Sequence, residues 1–255
     1  GGSVTSDTGN ITIDGLSNSA YGATYIRIPV VATLGSVSIS GAGNGAGIYQ
    51  DGHTGSVTAK ADVNMIGYSS GGGDGLYYSI GSVTSTNGNV TLSGYTSSTA
   101  TSDNAIYSNA RAVSAVNGSV IFQGAKLDTA TTLVNAAGAM SGGTPNIPAP
   151  LFAIADSVNM ATAATNGVYW TGSVTANTST GYISINSKTP SITGAMTSYG
   201  LALLGNNQNY TLNNASNAIS ALAANIGTGA LTFTDTSVLT IGSYNGTDGI
   251  TAAKV

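Results

Sequence analysis

The stretch "LYYSIGSVTSTNGNVTL", Leu76–Leu92, decides the fold. It carries no charge, two glycines, and short runs in which apolar residues alternate with polar ones. Alternation of this kind is the mark of a strand with one buried face. The same phrase is written as "GSVTSDTGNITI" (Gly2–Ile13) and as "GSVTANTSTGYISI" (Gly172–Ile185). Its core is a glycine, a small or polar residue, Val/Ile/Leu, then Thr or Ser. That core recurs as "GNITI" at Gly9, "GSVSI" at Gly35, "GSVTA" at Gly55, "GSVTS" at Gly81, "GNVTL" at Gly88, "GSVIF" at Gly118, "GYISI" at Gly181 and "GALTF" at Gly229.

A second phrase keeps another phase. It reads "GIYQ" at Gly47, "GLYYS" at Gly75, "AIYS" at Ala105, "GVYWT" at Gly167 and "GLALL" at Gly200. The steps are nearly equal except for the one from Ala105 to Gly167, which is about twice the others. With that long step read as two turns, the period is steady at about 30. Within a period the order is an "IY" strand, a "SVT" strand, a "NVTL" strand and a variable polar loop.

Strands this short do not make stable free hairpins, and the Asn-Gly or Asp-Gly pairs of two-residue hairpins are rare between them. Three short strands in a period of about 20–33 residues predict an all-β chain wound as a parallel β-helix, a solenoid in which each coil lies on the last about 4.8 Å away. Val4, Val83 and Val174 then share one interior column, and Ser and Thr form an outer row. The whole of residues 1–255 reads as one repeat region, with about eight or nine coils and a rod of roughly 40 Å. A β-propeller is the rival, but its blades run to about 40 residues or more with Trp or Gly-His signatures, and this chain has one Trp and one His.

Two segments break the rhythm. Residues 136–166 hold "GGTPNIPAP" and three of the five prolines. Proline cannot donate to a ladder, so an excursion from the rod is expected there. Residues 215–225, "ASNAISALAAN", have helical propensity but occupy a strand slot and are read as strand.

Composition excludes several functions. Only 6% of residues are charged, none is Glu, and the net charge is −4. Nucleic-acid binding calls for a basic stripe, whereas Arg27, Lys60, Arg111, Lys126, Lys188 and Lys254 are scattered singly. With no cysteine there is neither disulfide nor thiolate metal site. No apolar run reaches the roughly 18–20 residues of a membrane span. The opening "GGSVTS" has no signal-like segment, which reads as a mature or trimmed piece of a longer chain.

Candidate sites are few. In the "IY" strands the aliphatic residue faces in and the next faces out, so Tyr49, Tyr77, Tyr107 and Tyr169, followed by Ala202, form an outer aromatic column. Such a column serves as a stabilising stack, or as a contact stripe for a glycan or a neighbouring rod. "SGGGDGLYY" (Ser70–Tyr78) resembles one copy of the Gly/Asp-rich calcium nonapeptide, with Asp74 as its only ligand to name; those sites need tandem copies. His53, with Asp51 near it, reads as a turn residue. The Asp residues are dispersed, and the sequons at Asn10, Asn89, Asn117, Asn177, Asn209, Asn214 and Asn245 are what an Asn- and Thr-rich chain produces by chance. A polysaccharide-degrading β-helix enzyme would need distant carboxylates to converge, Asp74 with Asp103 or Asp51.

The segment "NAISALAANIGTGALTFTDTSVLTIGSYNGTDGITA", Asn217–Ala252, resembles the repeats of filamentous haemagglutinin-like exoproteins of Gram-negative bacteria. Its "IxxLAAN", "G-x-L-x-F", "VLTIG" and "NGTDGITA" elements carry that likeness, and the "GNVTLSG" and "NGSVIFQG" segments look like looser repeats of the same kind. The resemblance implies a right-handed parallel β-helix, secretion across the outer membrane by the two-partner or autotransporter route, and a place on the bacterial cell surface. It also implies adhesion to surfaces or cells. With its carboxylates dispersed, the chain reads as a non-catalytic, cofactor-free rod whose partners are host or neighbouring cell surfaces, glycans, or other copies of itself joined end to end or laterally. A glycan-binding module using the tyrosine column is the alternative.

Overall fold

The computed structural model describes residues 2–17, 20–50, 55–79, 81–96, 102–109, 111–126, 167–187, 190–205, 207–244 and 247–255. Among them there are strands and turns but no helix. The chain is a parallel β-helix with three faces. Each coil stacks on the coil before it in parallel register; the one antiparallel pair among the described residues is Ser243–Tyr244 with Thr247–Asp248.

The first face stacks Val4–Ser6, Val30–Ala32, Val57–Ala59, Val83–Ser85, Val113–Ala115 and Val174–Thr175. The second stacks the longer strands Ile11–Ser17, Val37–Gly43, Val63–Ser69, Val90–Thr96, Val120–Lys126 and Tyr182–Ser187. The third stacks Thr24–Tyr25, Ile48–Gln50, Leu76–Tyr78, Ile106–Ser108, Val168–Trp170 and Ser191–Ile192. Alternation decides which residue of each strand faces in. The buried column of the first face therefore runs from Val30 through Val57, Val83 and Val113 to Val174 and Met196, with Thr5, Val31, Thr58, Thr84, Ser114, Thr175 and Thr197 in the outer row. The second face contributes Ile39, Met65, Leu92, Phe122, Ile185 and Leu203 as one column. These columns merge into a single core running along the rod. An inward column that is apolar in every coil is the only source of hydrophobic stabilisation such a narrow fold has.

The structure corrects two expectations and leaves a third outside the described residues. The long step from Ala105 to Gly167 is one coil, not two turns: Ile106 pairs directly with Val168 and Val113 with Val174, so no coil lies between them. Residues 136–166, where an excursion was expected, lie outside the described residues. The "GLALL" phrase at Gly200 does not belong to the "IY" face. Leu201 pairs with Ile183 on the second face, because the coil between those two residues is much shorter than the earlier ones and a constant period overshoots it. Beyond this point the three strands of a coil become two. Met196–Leu204 runs from the first face to the second without a break, and Ala218–Asn225 stacks along it. In "MTSYGLALL" only Ser198 and Tyr199 separate the first-face residues Met196 and Thr197 from the second-face residues beginning at Gly200, too few for the turn that earlier coils make with segments such as "STNGN", so the strand continues round the corner. The helix-prone "AISALAAN" is strand, held by the strand above it; tertiary pairing overrides propensity.

Glycines mark where coils touch. Gly15, Gly41, Gly67, Gly94 and Gly124 stack in one column inside the second-face strands. A Cβ on Gly67 would sit 1.9 Å from the Gly75 carbonyl oxygen, and one on Gly94 would sit 1.9 Å from that of Ala105. Only hydrogen fits at this corner, where the next strand of the coil passes. Side-chain oxygens at the bends cap the neighbouring coil. Asn10 accepts the Ser36 amide at 2.9 Å, Asp62 the Asn89 amide at 2.8 Å, and Asn89 the Ser119 amide at 2.9 Å. Each closes a backbone donor that the ladder leaves open at a turn.

Gly67→Ala is therefore expected to destabilise the rod by about 1–3 kcal/mol or more, the range for overpacking. Gly72→Ala, whose Cβ would meet nothing nearer than Asp103 at 4.0 Å, is expected to be close to neutral. Thermal unfolding followed by circular dichroism compares the two.

Candidate functional site

The outward column of the third face is aromatic. Tyr25, Tyr49, Tyr77, Tyr107 and Tyr169 occupy the same position in successive coils. Their ring centroids are 4.9, 4.5, 5.1 and 5.2 Å apart, and the last three pairs are stacked with interplanar angles of 5, 11 and 7°. The strand spacing sets these distances: side chains in register on parallel strands lie one strand apart, close to the distance at which aromatic rings stack. Beside the first ring lies the Arg27 guanidinium, 5.1 Å from the Tyr25 centroid, within the range of a cation–π contact. The column ends below at Ser191, which pairs with Tyr169; Ala202 is on another face. Tyr25 was not among the expected members because its strand reads "TYIRIP", with Thr24 where the others have an aliphatic residue. The readable signal was its distance from Tyr49, which is close to one coil.

The stacking has a chemical consequence. The faces of Tyr49, Tyr77 and Tyr107 are covered by their neighbours, so each ring turns its edge and hydroxyl outward. A sugar held by packing its C–H face on an aromatic plane needs an open ring face, and the inner members of this ladder have none. What the ladder offers a partner is a row of phenol edges repeating once per coil.

Behind it, the inward column of the same face runs Gln50, Tyr78, Ser108, Trp170 and Ile192. Tyr78 and Trp170 are fully buried and their rings approach to 5.9 Å across the small Ser108. Phe122 of the second face closes on Trp170 at 5.1 Å. Large beside small is how a stacked column fits two wide rings without a clash. Burial pushes the Tyr78 hydroxyl far above the ordinary phenol range, with the Gln50 side chain beside it.

Asp62, Asp74 and Asp103 link one coil to the next. Asp74 accepts the backbone and side-chain N–H groups of Asn104, one coil on, while Asp103 accepts the Gly73 amide at 2.8 Å. Asp74 and Asp103 thus do meet, as a reciprocal clasp in which each holds the other's loop. Burial, opposed by the Asn104 hydrogen bonds, raises the Asp74 carboxyl to about 6. Among the described residues, no three Asp, Glu, His or Cys side chains group in a way that could hold a metal ion. Asp51 and His53 lie outside the described residues. Three sequon asparagines use their amide nitrogens within the rod: Asn117 donates to Asn87 Oδ1 at 3.2 Å, Asn177 to the Val116 carbonyl at 3.2 Å and Asn214 to the Thr193 carbonyl at 2.8 Å.

A second aromatic group, not anticipated, sits near the C-terminal end. Tyr244 packs edge-on to Tyr182 at 5.2 Å, touches Tyr199 and donates to the Thr180 carbonyl at 2.8 Å. It lies over Gly200, where a Cβ would come within 2.5 Å of its ring. No helix among the described residues is long and apolar enough to cross a membrane. No protein-family model matches this chain, and neither a curated protein nor a solved structure does.

Two outcomes are expected. In a double-mutant cycle, Tyr77→Ala and Tyr107→Ala should couple by about 0.5–1.5 kcal/mol, the worth of one stacked pair beyond its area; zero coupling would mean that the stack contributes nothing. Asp74 holds its proton more tightly in the folded chain than in the unfolded one. Its favourable contribution is present below the unfolded carboxyl range and is lost as pH rises through about 6. Asp74→Asn keeps the acceptor for Asn104 and should flatten the stability profile in that window, as urea titrations on either side of it would register.

Proposed function

We propose that this chain is an extracellular structural and adhesive rod, a segment of a bacterial surface filament or adhesin stalk secreted across the outer membrane. It works without catalysis and without a cofactor. The observation that carries this reading is the in-register stacking of like side chains, inside and outside, through coil after coil. Such a stack has length and stiffness as its product. The reciprocal clasp of Asp74 and Asp103 supports it, since both carboxylates join one coil to the next. The haemagglutinin-like phrasing of Asn217–Ala252 supports the surface location.

The partners that fit are a host or neighbouring cell surface and its glycans. They meet rows of Ser and Thr hydroxyls on the first face and phenol edges on the third. A glycan-binding role for the tyrosines would run through edge and hydroxyl contacts, because the inner ring faces are covered. With so few charges, the outer hydroxyl rows are also what hydrates the rod.

The test is immunogold electron microscopy of the producing cells, paired with adhesion of a strain lacking the gene. Gold on thin surface projections and a fall in attachment are the expected results. Label confined to the cell interior, or unchanged attachment, would overturn the reading.

A further inference from the structure

The outward ladder joins five phenols without a break. Tyr25, Tyr49, Tyr77, Tyr107 and Tyr169 stand on consecutive strands of one face, neighbouring centroids are never more than 5.2 Å apart, and the column spans about 20 Å. The inward aromatics of the same face stop at one pair, Tyr78 and Trp170, bounded by Gln50 and Ile192. Stacking alone does not call for phenol. Phenylalanine would stack as well, and the chain has three, yet all five ladder rings carry a hydroxyl.

Tyrosine is also the oxidisable side chain that a reagent in solution meets first. The chain has no cysteine. Among the described residues, Trp170, Met65 and Met196 are fully buried, whereas Tyr25 is 40% exposed and the other four ladder tyrosines are half-buried.

We infer that the ladder is a redox relay, which takes up a one-electron oxidation at any of its rings and passes the radical from coil to coil along the rod. This activity is separate from adhesion and does not depend on where the rod stands. The oxidant class is a diffusible peroxyl radical. It takes the phenolic hydrogen of one tyrosine, leaving a hydroperoxide and a neutral tyrosyl radical. In each later step the radical ring takes an electron from the next ring through their stacked faces and a proton from solvent. The next ring releases its own hydroxyl proton to solvent, so one phenol is restored as another is oxidised. A thiol or hydroquinone that gives a hydrogen atom to any ring ends the sequence. Electronic overlap falls steeply with separation, and these rings sit at the distance of aromatic stacking. Rings held in register have similar surroundings, so the radical is close in energy on each and needs no uphill step between them.

The experiment uses the full chain, whose lack of cysteine lets one introduced thiol carry a single label. Ser191→Cys, one coil from Tyr169, carries a ruthenium polypyridyl photo-oxidant. At the far end, 3-aminotyrosine replaces Tyr25 as an easily oxidised reporter with its own radical spectrum. After a flash, the tyrosyl radical formed at the near end is expected to give way to the aminotyrosyl radical. Tyr49→Phe combined with Tyr77→Phe keeps two stacking rings that this oxidant does not oxidise. The pair should abolish the reporter signal and leave the radical on Tyr107 and Tyr169. Circular dichroism checks the fold; should the double variant unfold, Tyr77→Phe alone takes its place. A radical that stays at the near end of the unbroken ladder, or a reporter signal as strong in the phenylalanine variant, would overturn the inference.

Discussion

The parallel backbone ladder between one coil and the next is the interaction on which everything else in this molecule rests. It fixes the distance between equivalent residues and repeats that distance along the rod. Once it is set, a residue's most important neighbour is its counterpart one coil away, not its neighbour in sequence. A valine is therefore best followed by a valine, an outward threonine by a threonine, and a glycine at the crowded corner by another glycine. The columns from Val30 to Met196 and from Gly15 to Gly124 are two forms of this rule. One is chosen for burial and the other for the absence of a Cβ. The tyrosine ladder is the same rule applied to a side chain whose stacking distance happens to match the strand spacing.

That rule explains how much the sequence discloses. Where coils are of similar length, from Val4 to Ala115, the phrases align by eye and alternation assigns each residue to core or surface. The second tyrosine of "LYYS" is inward by that logic, and Tyr78 is fully buried. The reading loses phase where coil length changes. The step from Ile106 to Val168 looks like two periods, although the two strands are direct neighbours. The short coils from Ile183 to Leu201 and from Leu201 to Leu222 then shift "GLALL" onto a different face. Coil length is set by turns and loops, which leave no periodic trace. Strand order is written in the repeats, but spacing between repeats is not.

Contacts that join unlike positions were hidden for a related reason. Tyr244 reaches Tyr182 and Gly200 by folding back across the second face, and nothing in the local pattern of "GSYNGTDG" signals that. The pairing of Asp74 with Asp103 could be suspected from "GGGDG" and "TSDNA" at similar phase. Its form, each carboxylate holding an amide of the other's loop, depends on loop geometry that only the structure supplies. Asp74 is unusual mainly for where it sits. It is a half-buried acid at a coil bend, whereas Asn10 and Asn89 serve as neutral acceptors at other bends, so its proton binds more tightly than a surface carboxylate's.

A stack held together by repetition has no intrinsic length. Each added coil forms the same interface, buries the same columns and leaves the same open edge behind it. A globular domain stops growing when its core is enclosed, whereas a solenoid stops only where the sequence changes. In this chain the phrases change at Met196–Leu204, where one strand runs from the first face to the second and the three strands of a coil give way to two. The stack continues across that change, because Ala218–Asn225 still finds a parallel partner in register along it. Coil shape is therefore set by the phrases, and the ladder needs only a strand of matching register from one coil to the next.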